Sequence, residues 1–116
     1  MHQYKKLDVW QNAVDFAVEI YLITKNSPSE EKFGLTTQLR RAAISVASNI
    51  AEGACRNTAK EFYHFLGISS GSIAEVETQL IIASRLGMIP EEASNNLSEK
   101  ATAILNKLWK LKVSLT

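Results

Sequence analysis

A chain of 116 residues with thirteen basic and twelve acidic side chains, net charge +1, is long enough for one self-sufficient core and too evenly charged for its global field to draw it to nucleic acid or an anionic membrane. Any such binding has to come from a local patch. The single cysteine, Cys55, has no partner for an internal disulfide and no companion thiol for a metal site, which fits a reducing compartment and a small residue at a helix end.

The leading Met-His-Gln-Tyr-Lys-Lys runs straight into Leu7 and Asp8, with no apolar core of a signal peptide and, further on, no apolar run near the roughly 20 residues needed to span a bilayer. The expectation is a soluble cytoplasmic protein without a membrane partner, folded as one domain over residues 1–116. The first predicted helix covers about Asp8 to Lys25. Leu7, Trp10, Val14, Ala17 and Tyr21 form one stripe on it, and Val9, Ala13, Phe16, Ile20 and Ile23 form a second. Only Gln11, Asn12, Asp15 and Glu19 are left for water, so the helix carries more apolar surface than one face of a small bundle buries.

Asn26-Ser27-Pro28-Ser29-Glu30 breaks the pattern, with Ser27 and Glu30 placed to cap a short turn around Pro28. Gly34 precedes the second helix, about Leu35 to Ala54, in which Leu35, Leu39, Ala42, Ala43, Val46 and Ile50 face a core at steps of three and four. Arg41, Ser45, Asn49 and Glu52 line another side at the same steps. Ser and Asn are weak helix formers, and their place in this stripe points to polar groups meeting partners in a packed interface, the alternative being an ordinary exposed face. Gly53 and Arg56-Asn57 mark the end, and Thr58-Ala59-Lys60-Glu61 is a capping box that opens the third helix.

That helix, about Ala59 to Leu86, repeats Phe62, Leu66, Ser69, Ile73, Val76, Leu80 and Ala83, with a second stripe of Phe65, Ile68, Ser72, Glu75, Gln79, Ile82 and Leu86. Gly87 suits a left-handed C-cap, Ile89 can supply the accompanying apolar contact, and Pro90 starts the fourth helix. Ala93, Leu97, Ala101, Ile104, Leu108 and Leu111 give it a core stripe, with Glu91 and Glu92 at its positive end and Lys107, Lys110 and Lys112 towards its negative one. With no strand pattern anywhere, the predicted fold is all-α, an antiparallel up-down-up-down four-helix bundle.

Hairpin geometry about residues 53–57 sets Ala42 and Ala43 opposite Ser69, Ser70 and Gly71, small against small, and brings Arg40 or Arg41 within reach of Ser72 and Glu75. The expected structural polar seam is Arg40, Arg41, Ser45, Asn49, Glu52, Ser72 and Glu75. Within it, a buried Arg41 paired with Glu75 would cost about 3 to 5 kcal/mol to break from one side.

No catalytic constellation emerges. Glu61-Phe62-Tyr63-His64 has the Glu-x-x-His spacing of carboxylate-bridged di-iron bundles, but the other histidine, His2, lies in the leading tail and the second such element is missing. Ser69-Ser70-Gly71-Ser72 lacks the strand-to-helix elbow of hydrolases, and no glycine-rich phosphate loop occurs. The expectation is a non-enzyme with no cofactor and no metal. Arg56 and Lys60 bracket the hairpin turn, and Lys100, Lys107 and Lys110 lie near one face of the last helix. Five cations alone more often make a solvated face, whereas repeated by symmetry in an oligomer they form a band of positive potential for nucleic acid.

Leu7-Asp8-Val9-Trp10-Gln11, Gly34-Leu35-Thr36-Thr37-Gln38-Leu39-Arg40-Arg41-Ala42-Ala43, Ser45 to Gly53, and Gly71-Ser72 with Glu75 together resemble the bacterial four-helix-bundle family named after the protein encoded in intervening sequences of 23S ribosomal RNA genes. The resemblance covers nearly the whole chain. Ala47 stands where the family often has proline, which removes a possible kink. The resemblance implies a small bacterial cytoplasmic protein that assembles as a ring-like homopentamer, with relatives called ribosomal proteins for their genomic location. Accessory variability proteins of diversity-generating retroelements look like relatives too, and those bind nucleic acid and a reverse transcriptase. Two functional expectations follow. One is a self-associating scaffold that binds structured RNA or another nucleic acid through its repeated cations; the other is a protein-protein adaptor with no nucleic-acid role.

Overall fold

The computed structural model describes residues 3–26 and 34–116. A short 3₁₀ turn, Tyr4–Lys6, leads into four helices: α1 (Asp8–Ile23), α2 (Leu35–Ala54), α3 (Ala59–Arg85) and α4 (Glu91–Ser114). The proposed cap around Pro28 lies outside the described residues.

The helix boundaries have local causes. The Thr58 hydroxyl accepts the Glu61 backbone N–H at 3.1 Å and donates to the Glu61 carboxylate at 3.0 Å, which closes the capping box at the start of α3. At its other end the Met88 N–H reaches the Ala83 carbonyl and the Gly87 N–H the Ser84 carbonyl, with Gly87 at φ 74°. This is a Schellman motif, in which only glycine adopts the left-handed turn without strain. Ile89 is buried just beyond it. Helix α1 stops at Ile23, where the next free N–H, that of Lys25, bonds the Leu22 carbonyl three residues back in a tighter turn, ahead of the expected end at Lys25.

Each helix packs on two neighbours, and the named contacts fix their directions. Ser69 and Ser72 of α3 meet Val46 and Ser45 of α2, while Phe62 and Phe65 lie against Gly53. Lys100 and Lys107 of α4 meet Glu19 and Asp8 of α1. Ser94 of α4 bonds the Leu80 carbonyl, and Lys112 covers Tyr63. Arg40 of α2 bonds Thr24 at the end of α1. Every neighbouring pair is therefore antiparallel.

Phe16, Ile20, Leu39, Ile50, Phe62, Leu66, Ile73, Leu80 and Leu108 fill the core with almost no exposed surface. Each such side chain contributes about 1.5 to 3 kcal/mol through burial. Of the two stripes on α1, Val9, Ala13, Phe16 and Ile20 point inward. In the other stripe Leu7, Trp10 and Ala17 are half-buried against the core, Val14 is half-buried and Tyr21 is exposed.

Candidate functional site

The serine and asparagine part of the expected seam forms a connected strip between α2 and α3. Ser45 Oγ accepts from Ser72 Oγ and from Asn49 Nδ2, both at 2.9 Å, and Asn49 also donates to the Ser45 carbonyl at 2.9 Å. Deeper in, Ser69 Oγ donates to the Val46 carbonyl at 2.9 Å. Short side chains let the two backbones approach closely, and at Gly53 the approach leaves no room at all: a Cβ there would lie 2.6 Å from Cβ of Phe65. That glycine is buried inside α2 rather than ending it.

The charged part of the seam lies elsewhere. Arg41 and Glu75 are exposed, and among the described residues neither forms an ion pair; Glu75 instead accepts from Gln79 on its own helix at 3.3 Å. The expected buried Arg41–carboxylate pair is therefore absent from these contacts, because small hydrogen-bonding side chains already fill the interior of the seam. Arg40 turns the other way. Its Nε donates to Thr24 Oγ1 at 2.9 Å, and its guanidinium lies 4.5 Å from the centre of the Tyr21 ring, tying α2 to α1. Glu52 sits at the exposed margin paired with Arg56 at 2.9 Å. Gly71, expected opposite the alanines, is exposed, and a Cβ there would meet nothing within 4 Å.

Three of the five cations considered for nucleic acid are engaged within the chain. Lys100 pairs with Glu19, and Lys107 pairs with Asp8 and reaches Asn12 Oδ1 at 2.5 Å. Arg56 pairs with Glu52 and stacks over Phe65 at 4.8 Å. Lys60 and Lys110 are exposed and without an ion pair among the described residues. The pairing acids on α1, Asp8 and Glu19, stand about three helical turns apart and signal the cross-bundle pairing only once α4 is known to run antiparallel beside them.

Nothing in the remaining constellations is arranged for catalysis. Ser69, Ser70 and Ser72 donate to the Val46 and Leu66 carbonyls and to Ser45, with no base at any of them. In the Glu-x-x-His element, Glu61 is spent on the helix cap and His64 packs edge-on to Phe65. No group of three metal-ligating side chains converges among the described residues, and no described helix is long and apolar enough to cross a membrane.

Among the described residues, two exposed features stand out besides the apolar stripe Ile68, Ile82 and Leu86 of α3. Val14, Ala17, Val18, Tyr21, Leu22, Ile44, Ala47 and Ser48 line an open apolar groove of about 410 Å³ between α1 and α2, and Leu22 is 65% exposed. At the far end of the bundle, Trp109 is 64% exposed on α4. The sequence signal for Trp109 is its position off the stripe formed by Leu97, Ala101, Ile104 and Leu108, a signal that periodicity alone leaves unread.

Residues 5–110 match the family model described as 23S rRNA-intervening sequence protein. The chain belongs to this family. A solved structure from the S23 ribosomal protein family of Bacteroides thetaiotaomicron, a protein of unknown function, matches with a TM-score of 0.79 at 25% identity, covering 88% of this chain and 95% of that one. No curated protein matches. Membership in the 23S rRNA-intervening sequence protein family thus agrees with the four-helix architecture.

Proposed function

We propose that this chain is a non-enzymatic cytoplasmic scaffold that self-associates through its helical faces and presents cations around the assembly to RNA or another nucleic acid. The observation that carries the reading is the apolar groove between α1 and α2, where Val18, Leu22 and Ile44 lie open to solvent. A second apolar stripe, Ile68, Ile82 and Leu86 on α3, is exposed on a different side. Two unlike apolar faces on one subunit favour a head-to-tail contact, and a head-to-tail contact that closes makes a ring. The homopentamer implied by the family resemblance is such a ring.

Light scattering on the purified chain tests it. The expected mass is five times 12.9 kDa, and Leu22→Glu with Ile44→Glu is expected to dissociate the assembly while leaving the helix content intact, since both side chains are already at the surface. A monomeric wild-type chain overturns the assembly. The nucleic-acid arm rests on Lys60 and Lys110, the two of the five cations without an ion pair among the described residues. Absence of binding to ribosomal RNA fragments and single-stranded DNA even at low salt overturns that arm and leaves a protein-protein adaptor.

A further inference from the structure

We infer that the end of the bundle where α4 finishes beside the start of α3 is a binding site for single-stranded nucleic acid, with Trp109 as the stacking platform and Lys60, Lys110 and Lys112 as the phosphate contacts. The inference rests on the nucleic-acid arm of the proposed function and gives it a site and a strand class.

Charge on α4 is divided along its axis. Its acids, Glu91, Glu92 and Glu99, all precede Lys100, and from there to the end every charged side chain is a lysine. Lysines at a helix C-terminus complement the helix dipole, so charge alone would need no ligand. Trp109 has no such explanation. A side chain of that size left 64% exposed gives up most of the stabilisation its burial would bring. Helical spacing puts Lys112 and Val113 on the same side of α4 as Trp109, three and four residues on, and Val113 is also exposed.

The neighbouring helix supplies the rest. Lys112 Nζ lies 4.9 Å from the centre of the Tyr63 ring, and Tyr63 with Lys60 lines a shallow groove that continues to Leu115 and Thr116. Both Tyr63 and Lys60 are exposed. The open indole of Trp109 and the exposed Tyr63 ring, one face of which Lys112 covers, interleaved with three lysines are a combination that holds a single strand: bases stack on the free ring faces, and the ammonium groups track the backbone between them. A duplex hides its base faces inside the stack and gains only the phosphate contacts. A membrane surface would need a continuous apolar face, and here Trp109 and Val113 are flanked by Lys110 and Lys112. The site lies away from the α1/α2 groove, and Ile82 and Leu86 of the second apolar stripe stand at the opposite end of α3 from Lys60 and Tyr63.

The test uses the full chain carrying Trp10→Phe, which keeps a ring against Tyr4 and makes Trp109 the sole tryptophan. Titration with a single-stranded oligonucleotide of about twenty nucleotides at low salt is expected to quench the Trp109 fluorescence. In an anisotropy assay, Trp109→Ala is expected to weaken single-strand binding about tenfold and Trp109→Phe to restore most of it. Replacing Lys60, Lys110 and Lys112 by Gln is expected to reduce the slope of log affinity against log salt by about two. Since Trp109 and Lys60 are exposed, circular dichroism is expected to show unchanged helix content in each variant. Binding to duplex and single strand with equal affinity, unmoved by Trp109→Ala, overturns the site while the nucleic-acid arm stands. No binding of either strand form at low salt overturns both. Binding to vesicles of mixed phosphatidylserine and phosphatidylcholine, with none to the oligonucleotide, also overturns the site and assigns Trp109 to a lipid surface.

Discussion

The seam between α2 and α3 and the seam between α1 and α4 join antiparallel helices by opposite means. In the first, Ser69, Ser72 and Gly53 are buried, hydroxyls bond across the gap, and the backbones approach until no Cβ fits at Gly53. In the second, the helices stand further apart over an open groove of about 310 Å³ lined by Asn12, Asp15, Glu19, Lys100 and Lys107 among others. Long side chains span it, Lys100 to Glu19 and Lys107 to Asp8, all of them in reach of water. Shape holds one seam and screened charge helps to hold the other. The first therefore resists salt and tolerates no added volume, whereas the second tolerates volume and feels salt.

The largest effect is expected at Gly53. Its neighbours there, Cβ of Phe65 at 2.6 Å and Cδ1 of Phe62 at 3.0 Å, belong to a packed helix, and the nearer atom is fixed to the backbone. Gly53→Val must push α3 outward, at a cost of about 3 kcal/mol, the upper part of the range for overpacking. For a chain of this size that lowers the melting temperature by roughly 10 °C. Gly71→Val, on the same helix pair but exposed with nothing within 4 Å, is the control and is expected to stay within about 0.5 kcal/mol. Equal losses at the two positions would mean that the seam is not set by close approach.

A smaller effect separates hydrogen bonding from shape within that seam. Ser45→Ala removes the acceptor of both Ser72 and Asn49, and Ser72 is only 8% exposed. The expected loss is about 1 kcal/mol. Ser72→Ala on its own costs a similar amount, and the double variant loses less than the sum because the shared bond is counted twice. A strictly additive pair of losses in a denaturant titration would show that the bond across the seam carries no stability of its own.

These contrasts explain which parts of the molecule were legible from sequence. Helix positions followed from the spacing of Leu39, Val46 and Ile50 and of Phe62, Leu66 and Ile73, and from a capping box and a glycine stop whose chemistry is local. The serine strip was legible because polar residues at three-and-four spacing need partners, and antiparallel pairing set two such strips against each other. Arg40 and Arg41 were not. Adjacent arginines differ by about 100° around the helix, so the direction of each depends on where α1 and α3 finally lie; Arg40 went to Tyr21 and Thr24, and Arg41 to the surface. The same reason applies to Lys100 and Lys107. Their spacing gave a basic face, yet the acids of α1 that neutralise them are about eighty or more residues away in sequence. Trp109 was hidden for a different reason, since a periodic reading rewards residues on the stripe and passes over a large ring just off it.

The smallest effect belongs to the seam between α1 and α4 and is read most clearly through salt. Lys100 and Lys107 are 44% and 42% exposed in their side chains, and their partners Glu19 and Asp8 are 37% and 73% exposed. Solvent screens both pairs, so Lys100→Gln and Lys107→Gln are each expected to cost no more than about 0.5 kcal/mol. Lys107→Gln should cost the more of the two, because Lys107 also reaches Asn12 Oδ1 and so links two side chains of α1. Raising the salt from about 0.05 M to about 0.5 M shortens the screening length to a few ångströms and should remove most of that difference between wild type and the double variant. Gly53→Val measured over the same range should keep its full deficit, since a steric overlap is indifferent to ions. If the two deficits moved together with salt, shape and charge would not be divided between the seams in the way the contacts indicate.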